Sequence, residues 1–324
     1  ENPGGTPLMA RAVAWSPDGK KIIVGIGGRV GQRRVGTKSV HDGEVYVFDA
    51  EIKLNMTKPK RGYEGGITVN IDSNFLAPSG PQPGHSLTPH PNSWVCDIKF
   101  SPNKSQGTIA VASHDREIFL YNAQTFTRRC KCRGHHGAVT HIDCSDDGLI
   151  LQSTSNDYEL LFWDVNTGKQ KPRSSDFKDK HWATFTCPFG WPVQGIWPKL
   201  ADGTDINSVD LAFNLSQTVE KGKDENLVPL RSPTWDAKPK TQYEGLIVTA
   251  DDFGKVKLFV SPAEEEGSAC IAYTGHAAHV TNVRFTKPPR DEGSGKIISP
   301  HPEYVISIGG EDRAVMQWRL KVDP

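Results

Sequence analysis

The sequence has no long hydrophobic run: nowhere do about 18 apolar residues follow one another, the length a membrane-spanning helix requires. It has no surplus of charge either, because 38 Lys and Arg balance 38 Asp and Glu. Nucleic-acid-binding domains normally carry a clear basic excess, so neither a nucleic-acid nor a membrane partner is expected. Cysteine is sparse. The six in 324 residues (Cys96, Cys130, Cys132, Cys144, Cys187 and Cys270) form no Cys-x-x-Cys pair and lack the density of a secreted disulfide scaffold. They read as reduced thiols of a cytoplasmic protein, packed as small apolar groups. The opening Glu1 to Gly5 is polar and turn-rich, without the apolar core of a signal peptide. Long amphipathic helical patterns are also missing. The 31 Gly and 23 Pro instead mark frequent turns, which favours many short strands.

What is present is a repeat. Asp42 precedes the aromatic Phe48 by six residues, and the same spacing recurs from Asp115 to Tyr121, Asp157 to Trp163 and Asp312 to Trp318. A fifth copy, Asp252 to Phe259, is one residue longer, with Gly254 read as the insertion. A short apolar run precedes each aspartate, such as Ile109 to Ser113 or Leu149 to Ser153, and an alternating run lies before that, such as Val139 to Cys144 or Val280 to Phe285. Period-two alternation broken by turn residues reads as strand, turn, strand, turn, strand.

Two copies carry more of a WD40 repeat. Gly134-His135 comes before Trp163-Asp164, and Gly275-His276 comes before Trp318-Arg319. In such a repeat the His bonds the turn Asp, the Trp packs below it, and a strand hydroxyl links the two. Polar groups survive burial only when paired in this way. The fold is therefore an all-β WD40-type β-propeller over residues 1–324. Five repeats are readable, and six or seven blades are compatible with the long steps between repeat aromatics. The segments 60–93 and 180–198 are read as outer strands or degenerate blades, and 219–243 and 286–303 as inserted loops. The last repeat ends with three strands at Leu320, and an open edge invites a fourth. With two Pro and two Gly, Glu1 to Leu8 is a poor candidate for it. A strand from upstream or from a neighbouring propeller is expected to complete the ring.

Segments outside the generic pattern carry a more specific likeness. They are Asp157-Tyr-Glu-Leu-Leu-Phe162, Trp182-Ala-Thr-Phe-Thr-Cys187, Gly195-Ile-Trp-Pro-Lys199, Thr204-Asp-Ile-Asn-Ser-Val209, Asp251-Asp-Phe-Gly-Lys-Val256, His279-Val-Thr-Asn-Val283 and Met316-Gln-Trp-Arg319. In content and order they resemble the carboxy-terminal region of the echinoderm microtubule-associated protein-like family, most closely over residues 94–320. The resemblance implies two joined atypical propellers, of which this would be the second. It also implies a non-enzymatic cytoskeletal role with tubulin or microtubules as partner. The family's amino-terminal coiled coil and first-propeller hydrophobic motif have no counterpart here.

No catalytic residue, cofactor site or metal site is expected. Gly25-Ile-Gly-Gly28 leading to Gly31 has the wrong spacing for a dinucleotide loop and no helix after it to bind phosphate. Asp251-Asp-Phe-Gly254 lacks the other kinase segments. His135 with His136, and His276 with His279, invite a metal reading. The Gly-His position already explains one His of each pair, and no third ligand has recognisable spacing. No nucleophile elbow is present. Asn55-Met-Thr57 and Asn214-Leu-Ser216 match glycosylation acceptors by chance in a cytoplasmic chain.

The best functional candidate is electrostatic. Arg29, Arg33, Arg34 and Lys38 fall between Ile26 and Val40 with no acid among them. On a loop they would offer about four positive charges to an acidic partner such as tubulin, screened beyond about 8 Å at physiological salt. A solvated loop without a partner is the alternative. Lys53, Lys58, Lys60 and Arg61 form a second basic run. The expected function is a cytoplasmic protein-binding platform of the microtubule cytoskeleton. A generic WD40 scaffold for signalling or ubiquitin-pathway complexes is the competing expectation.

Overall fold

The computed structural model describes residues 8–29, 43–53, 68–71, 87, 91, 93–102, 107–199, 201–213, 245–287 and 302–320. Arg33, Arg34, Lys38, Asp42, Asn55, Lys58, Lys60, Arg61, Asn214, the 219–243 insertion and all but the ends of the 286–303 insertion lie outside these residues. The chain divides into two compact units, Glu1–Ser174 and Ser175–Pro324.

Among the described residues, the strands form five antiparallel sheets, each a meander of consecutive strands. In the first unit, sheet one holds β1 (Leu8–Trp15), β2 (Lys21–Arg29), β3 (Val45–Lys53) and β4 (Thr68–Ile71). Sheet two holds β5 (Val95–Phe100), β6 (Thr108–Ser113), β7 (Glu117–Asn122) and β8 (Arg128–Arg133). Sheet three holds β9 (Val139–Cys144), β10 (Ile150–Ser155) and β11 (Leu160–Asp164). In the second unit, β12 (Ile206–Phe213), β13 (Gly245–Asp251), β14 (Lys255–Ser261) and β15 (Cys270–Thr274) form sheet four. β16 (Val280–Phe285), β17 (Tyr304–Gly309) and β18 (Val315–Arg319) form sheet five. The glycines of Gly25 to Gly28 lie within β2, so that segment is strand and not a phosphate loop.

Within each unit the first strand of one sheet lies beside the first strand of the next: β1 beside β5, β5 beside β9, and β12 beside β16. This is how propeller blades follow one another. It explains why a second strand can be buried along its whole length. β6 and β10 are buried at every position, because each face of such a strand meets neighbouring side chains. In sheet two, Ile109, Val111, Phe119 and Tyr121 face Ile23, Val45, Val47 and Val95. The alternate residues Ala110, Ala112, Ile118 and Leu120 pack with Val139, Ile142, Leu151 and Trp163 of sheet three. Each fully buried aliphatic or aromatic side chain contributes about 1.5–3 kcal/mol. Charge pins the same junctions. The Asp97 carboxylate on β5 accepts the Ile142 amide of β9 at 3.0 Å and pairs with Lys99 at 2.7 Å. The Asp210 carboxylate on β12 accepts the Phe285 amide of β16 at 2.7 Å.

The repeat turns follow one rule, and it corrects one reading of the sequence. The residue five places before each repeat aromatic has a positive φ: Gly43 (88°), Arg116 (72°), Tyr158 (65°), Gly254 (74°) and Arg313 (54°). Gly254 is therefore no insertion. It fills the left-handed position of its turn, and the place before it, held by aspartate in the other four, is Phe253. The carboxylate task passes to Asp251, whose Oδ1 accepts the amides of Phe253 at 3.0 Å and Lys255 at 2.8 Å. Asp252 turns outward and accepts from Asn207 Nδ2 at 2.7 Å.

Residues 174–199 also depart from expectation. They form no strand, but two short 3-10 helices, Ser174–Phe177 and Trp191–Ile196. Trp182, Phe185, Cys187, Val193 and Ile196 are buried there. The Gly195 amide donates to Ala263 O at 2.7 Å, and a Cβ at this position would lie 2.0 Å from Glu265 O. Glycine is thus required by close approach of two backbones. Trp197 donates to Pro188 O at 3.1 Å and stacks on Phe189. The Gly-Ile-Trp-Pro segment is a structural clasp.

Candidate functional site

The described chemistry collects at one end of the sheets, where the connection into a repeat meets the turn between its second and third strands. In sheet five the arrangement is complete. His276, in the connection from β15, is held by its ring: Nδ1 donates to Asp312 Oδ2 at 2.8 Å, and Nε2 accepts from Ser307 Oγ at 2.8 Å. Trp318 Nε1 donates to the same Ser307 oxygen at 2.8 Å. The Asp312 carboxylate also accepts the amides of Ala277 at 3.1 Å and Ala314 at 3.0 Å. These amide bonds and His276 hold its pKa below the usual aspartate range. Every group has a role in fixing the loop to the turn.

Sheet three has the same residue types in a different arrangement. His135 Nε2 lies 2.6 Å from Ser153 Oγ, and Trp163 Nε1 donates to that oxygen at 2.7 Å. His135 Nδ1, however, does not reach Asp157. That carboxylate accepts the Ser155 hydroxyl on one oxygen and the His136 amide, at 3.0 Å, on the other. The nearest acceptor to Nδ1 is Glu159 Oε2, 3.5 Å away, beyond ordinary hydrogen-bond length. Both atoms are buried without a hydrogen-bond partner. Burial holds the His135 pKa below the ordinary histidine value. Burial would raise Asp157, but the Ser155 hydroxyl and the backbone amide bonds keep its carboxyl below the usual range.

The structure thus brings together His135, Asp157 and Trp163, and separately His276, Asp312 and Trp318, around the serines that the sequence reading left unnumbered. The expected bond from His135 to Asp157 is replaced by the approach of Glu159. Asp115 caps its turn by accepting the Glu117 amide at 3.3 Å, and Glu117 pairs with Lys131 and Arg133 at 2.6 Å each. Arg29 is the last residue of β2. The same ends carry exposed side chains that the spacing did not single out. They are His114, Arg116, His136 and Tyr158 in the first unit and Phe253 and Arg313 in the second. Their signal in the sequence was position: each lies in a repeat turn or in the connection leading to one.

The fold and these motifs agree with what the chain is similar to. The family model for the echinoderm microtubule-associated protein second beta-propeller matches residues 6–320. The 77 kDa echinoderm microtubule-associated protein of Lytechinus variegatus is 39% identical over 227 residues, covering 69% of this chain and 28% of that protein. Echinoderm microtubule-associated protein-like 4 of Xenopus tropicalis is 36% identical over 217 residues, 65% of this chain and 19% of that protein. Echinoderm microtubule-associated protein-like 3 of Homo sapiens is 33% identical over 234 residues, 71% of this chain and 21% of that protein. The matched region therefore spans between about a fifth and about a quarter of these relatives. The chain belongs to the echinoderm microtubule-associated protein family and corresponds to its second β-propeller.

Proposed function

We propose that this propeller is a non-enzymatic, cytoplasmic protein-binding platform of the microtubule cytoskeleton, with tubulin or the microtubule as its partner. The observation that carries the reading is family membership across residues 6–320, since the relatives are named as microtubule-associated proteins. The architecture is in keeping with it. Blades tied together by Asp97 and Asp210 form rigid supports, and loops on rigid supports are where binding residues concentrate. Exposed turn residues include Arg116, Tyr158, Phe253 and Arg313, of the aromatic and arginine types that dominate binding energy at interfaces. The basic cluster of Arg29, Arg33, Arg34 and Lys38 is the proposed contact with an acidic tubulin surface, which it would attract through charge. The platform needs no catalytic group and no cofactor.

The test is co-sedimentation of the chain with polymerised microtubules, alongside gel filtration with unpolymerised tubulin, across a salt series. Salt-sensitive binding to either form is expected. Reversing Arg33 and Arg34 to Glu should weaken it by about tenfold, roughly 1.4 kcal/mol, at an unchanged melting temperature. Absence of binding at low salt overturns the tubulin reading. Full-strength binding by the double variant overturns the assignment to this cluster.

A further inference from the structure

From the unmatched bonds around His135 we infer a binding site for a divalent transition-metal ion of the zinc type, formed by His135 Nδ1 and the carboxylates of Asp157 and Glu159. These ligand atoms lie within 4.8 Å of one another. The His135 side chain has no exposed surface, and its Nδ1 points into the group without a hydrogen-bond partner. Glu159 Oε2, also buried and unpartnered, is 3.5 Å from it. Two ligands on one tetrahedral zinc, with bonds of about 2.0–2.1 Å, stand about 3.4 Å apart. The separation is too long for a good hydrogen bond and suits a shared ion. His136 Nδ1, 3.0 Å from Glu159 Oε1 and 4.0 Å from Asp157 Oδ2, borders the same group from the exposed side. It offers a fourth ligand, and water is the alternative. One or two imidazoles with two carboxylates make a borderline donor set, which favours zinc, cobalt or nickel over calcium or magnesium.

The fifth sheet of the same chain serves as an internal control. There Gly309 stands where sheet three has Ser155, and Ala314 stands where it has Glu159, as the strand pairing shows. A Cβ at Gly309 would lie 1.8 Å from Asp312 Oδ1 and 2.6 Å from His276 Nδ1. The missing side chain leaves room for Asp312 beside the histidine, and the turn there is one residue longer, with Gly310-Glu311 where sheet three has Asn156 alone. In sheet three Ser155 has that side chain, its hydroxyl engages Asp157, and Nδ1 is left facing Glu159. Two substitutions and a turn shorter by one residue thus remove the aspartate from the ring nitrogen and add a second carboxylate. The far side of the ring is already braced. Ligation through Nδ1 puts the proton on Nε2, where Ser153 Oγ accepts it at 2.6 Å. Metal-bound histidines are commonly oriented through their second nitrogen in this way. The ion would clip the connection between β8 and β9 to the turn between β10 and β11.

The experiment is calorimetric titration of chelator-treated protein with zinc chloride at neutral pH, after alkylation of the exposed Cys270 thiol. Cobalt is used as a spectroscopic probe that separates nitrogen and oxygen ligands from thiolate. Wild-type protein should bind one equivalent without thiolate charge-transfer absorption. Glu159→Ala, which installs the residue found at the matching place in sheet five, should bind at least tenfold more weakly and melt as wild type does in EDTA. Glu159→Gln, which keeps the side-chain shape, provides the same reading should the alanine variant fold poorly. No saturable binding by wild type overturns the site, as does thiolate ligation or equal affinity in both Glu159 variants.

Discussion

Ser153 supports more of the third sheet than its size suggests, and its replacement by alanine tests the reasoning most directly. The change deletes one hydroxyl and little volume, so packing terms are small. It strands two buried partners: Trp163 Nε1, which donates to Ser153 Oγ at 2.7 Å, and His135 Nε2 at 2.6 Å. Ser153 and Trp163 are each 0% exposed and His135 is 6% exposed, so water does not replace the lost bonds. Leaving a buried polar group unsatisfied costs about 1–3 kcal/mol, so two such groups give a loss of about 3 kcal/mol after local relaxation. Ser307→Ala removes the same two bonds in sheet five, where Trp318 is only partly buried, and its cost should be nearer about 1.5 kcal/mol. Urea denaturation followed by circular dichroism measures both, with unchanged slopes required for the comparison. A second check is a cycle with Trp163→Phe. Once the indole N–H is gone, Ser153→Ala should cost roughly half as much. A loss below about 0.5 kcal/mol for Ser153→Ala, or a larger loss for Ser307→Ala, would refute the bonding scheme.

Two further predictions concern a junction and a turn. Burial alone would raise the Asp97 pKa, but Lys99, His141 and the Ile142 amide hold it below the ordinary aspartate value. A depressed folded pKa stabilises the fold above the unfolded value of about 3.9, and that contribution is lost as pH falls through the folded pKa. Asp97→Asn should therefore be less stable than wild type at neutral pH, with the difference shrinking below about pH 4; a difference that persists at low pH would contradict the charge account. At Gly254, φ is 74° and an added Cβ would meet His276 O at 2.9 Å. Gly254→Ala should cost about 1–2 kcal/mol. Arg116→Gly, at the same turn position in sheet two with φ 72°, should be neutral or stabilising by up to about 1 kcal/mol. Thermal melts of the two variants would show equal losses if the left-handed turn position were irrelevant.

The blade pattern was legible because its causes are local. Alternation along Val139 to Cys144, the apolar run from Ile109 to Ala112 in β6, and the six-residue step from Asp115 to Tyr121 all follow from strand periodicity and turn chemistry within a few neighbours. The Gly-His and Trp positions were legible for a related reason: a buried imidazole and indole need partners, and the serine between them on the middle strand supplies one. Gly254 was misread because aspartate at 252 matched the pattern in letters, whereas the turn is defined by the residue with positive φ. The strand reading of residues 180–198 failed because buried apolar residues such as Phe185 and Val193 look alike in a strand and in an irregular clasp; the prolines and Gly195 decided the outcome through close backbone contact.

The sequence by itself determined that the chain is a propeller of repeated meanders, which family its motifs resemble, and which His and Trp would meet in the two Gly-His repeats. Only the tertiary structure decided how those braces are completed. It placed Asp312 on His276 and withheld Asp157 from His135. It set Glu159 against a buried ring nitrogen, and it moved the carboxylate role in sheet four from Asp252 to Asp251. The physical reason is one of range. Periodicity and turn type are fixed by a few adjacent residues. Whether a carboxylate reaches an imidazole depends instead on strand register and on the presence or absence of one Cβ, as at Ser155 and Gly309, between segments far apart in the chain.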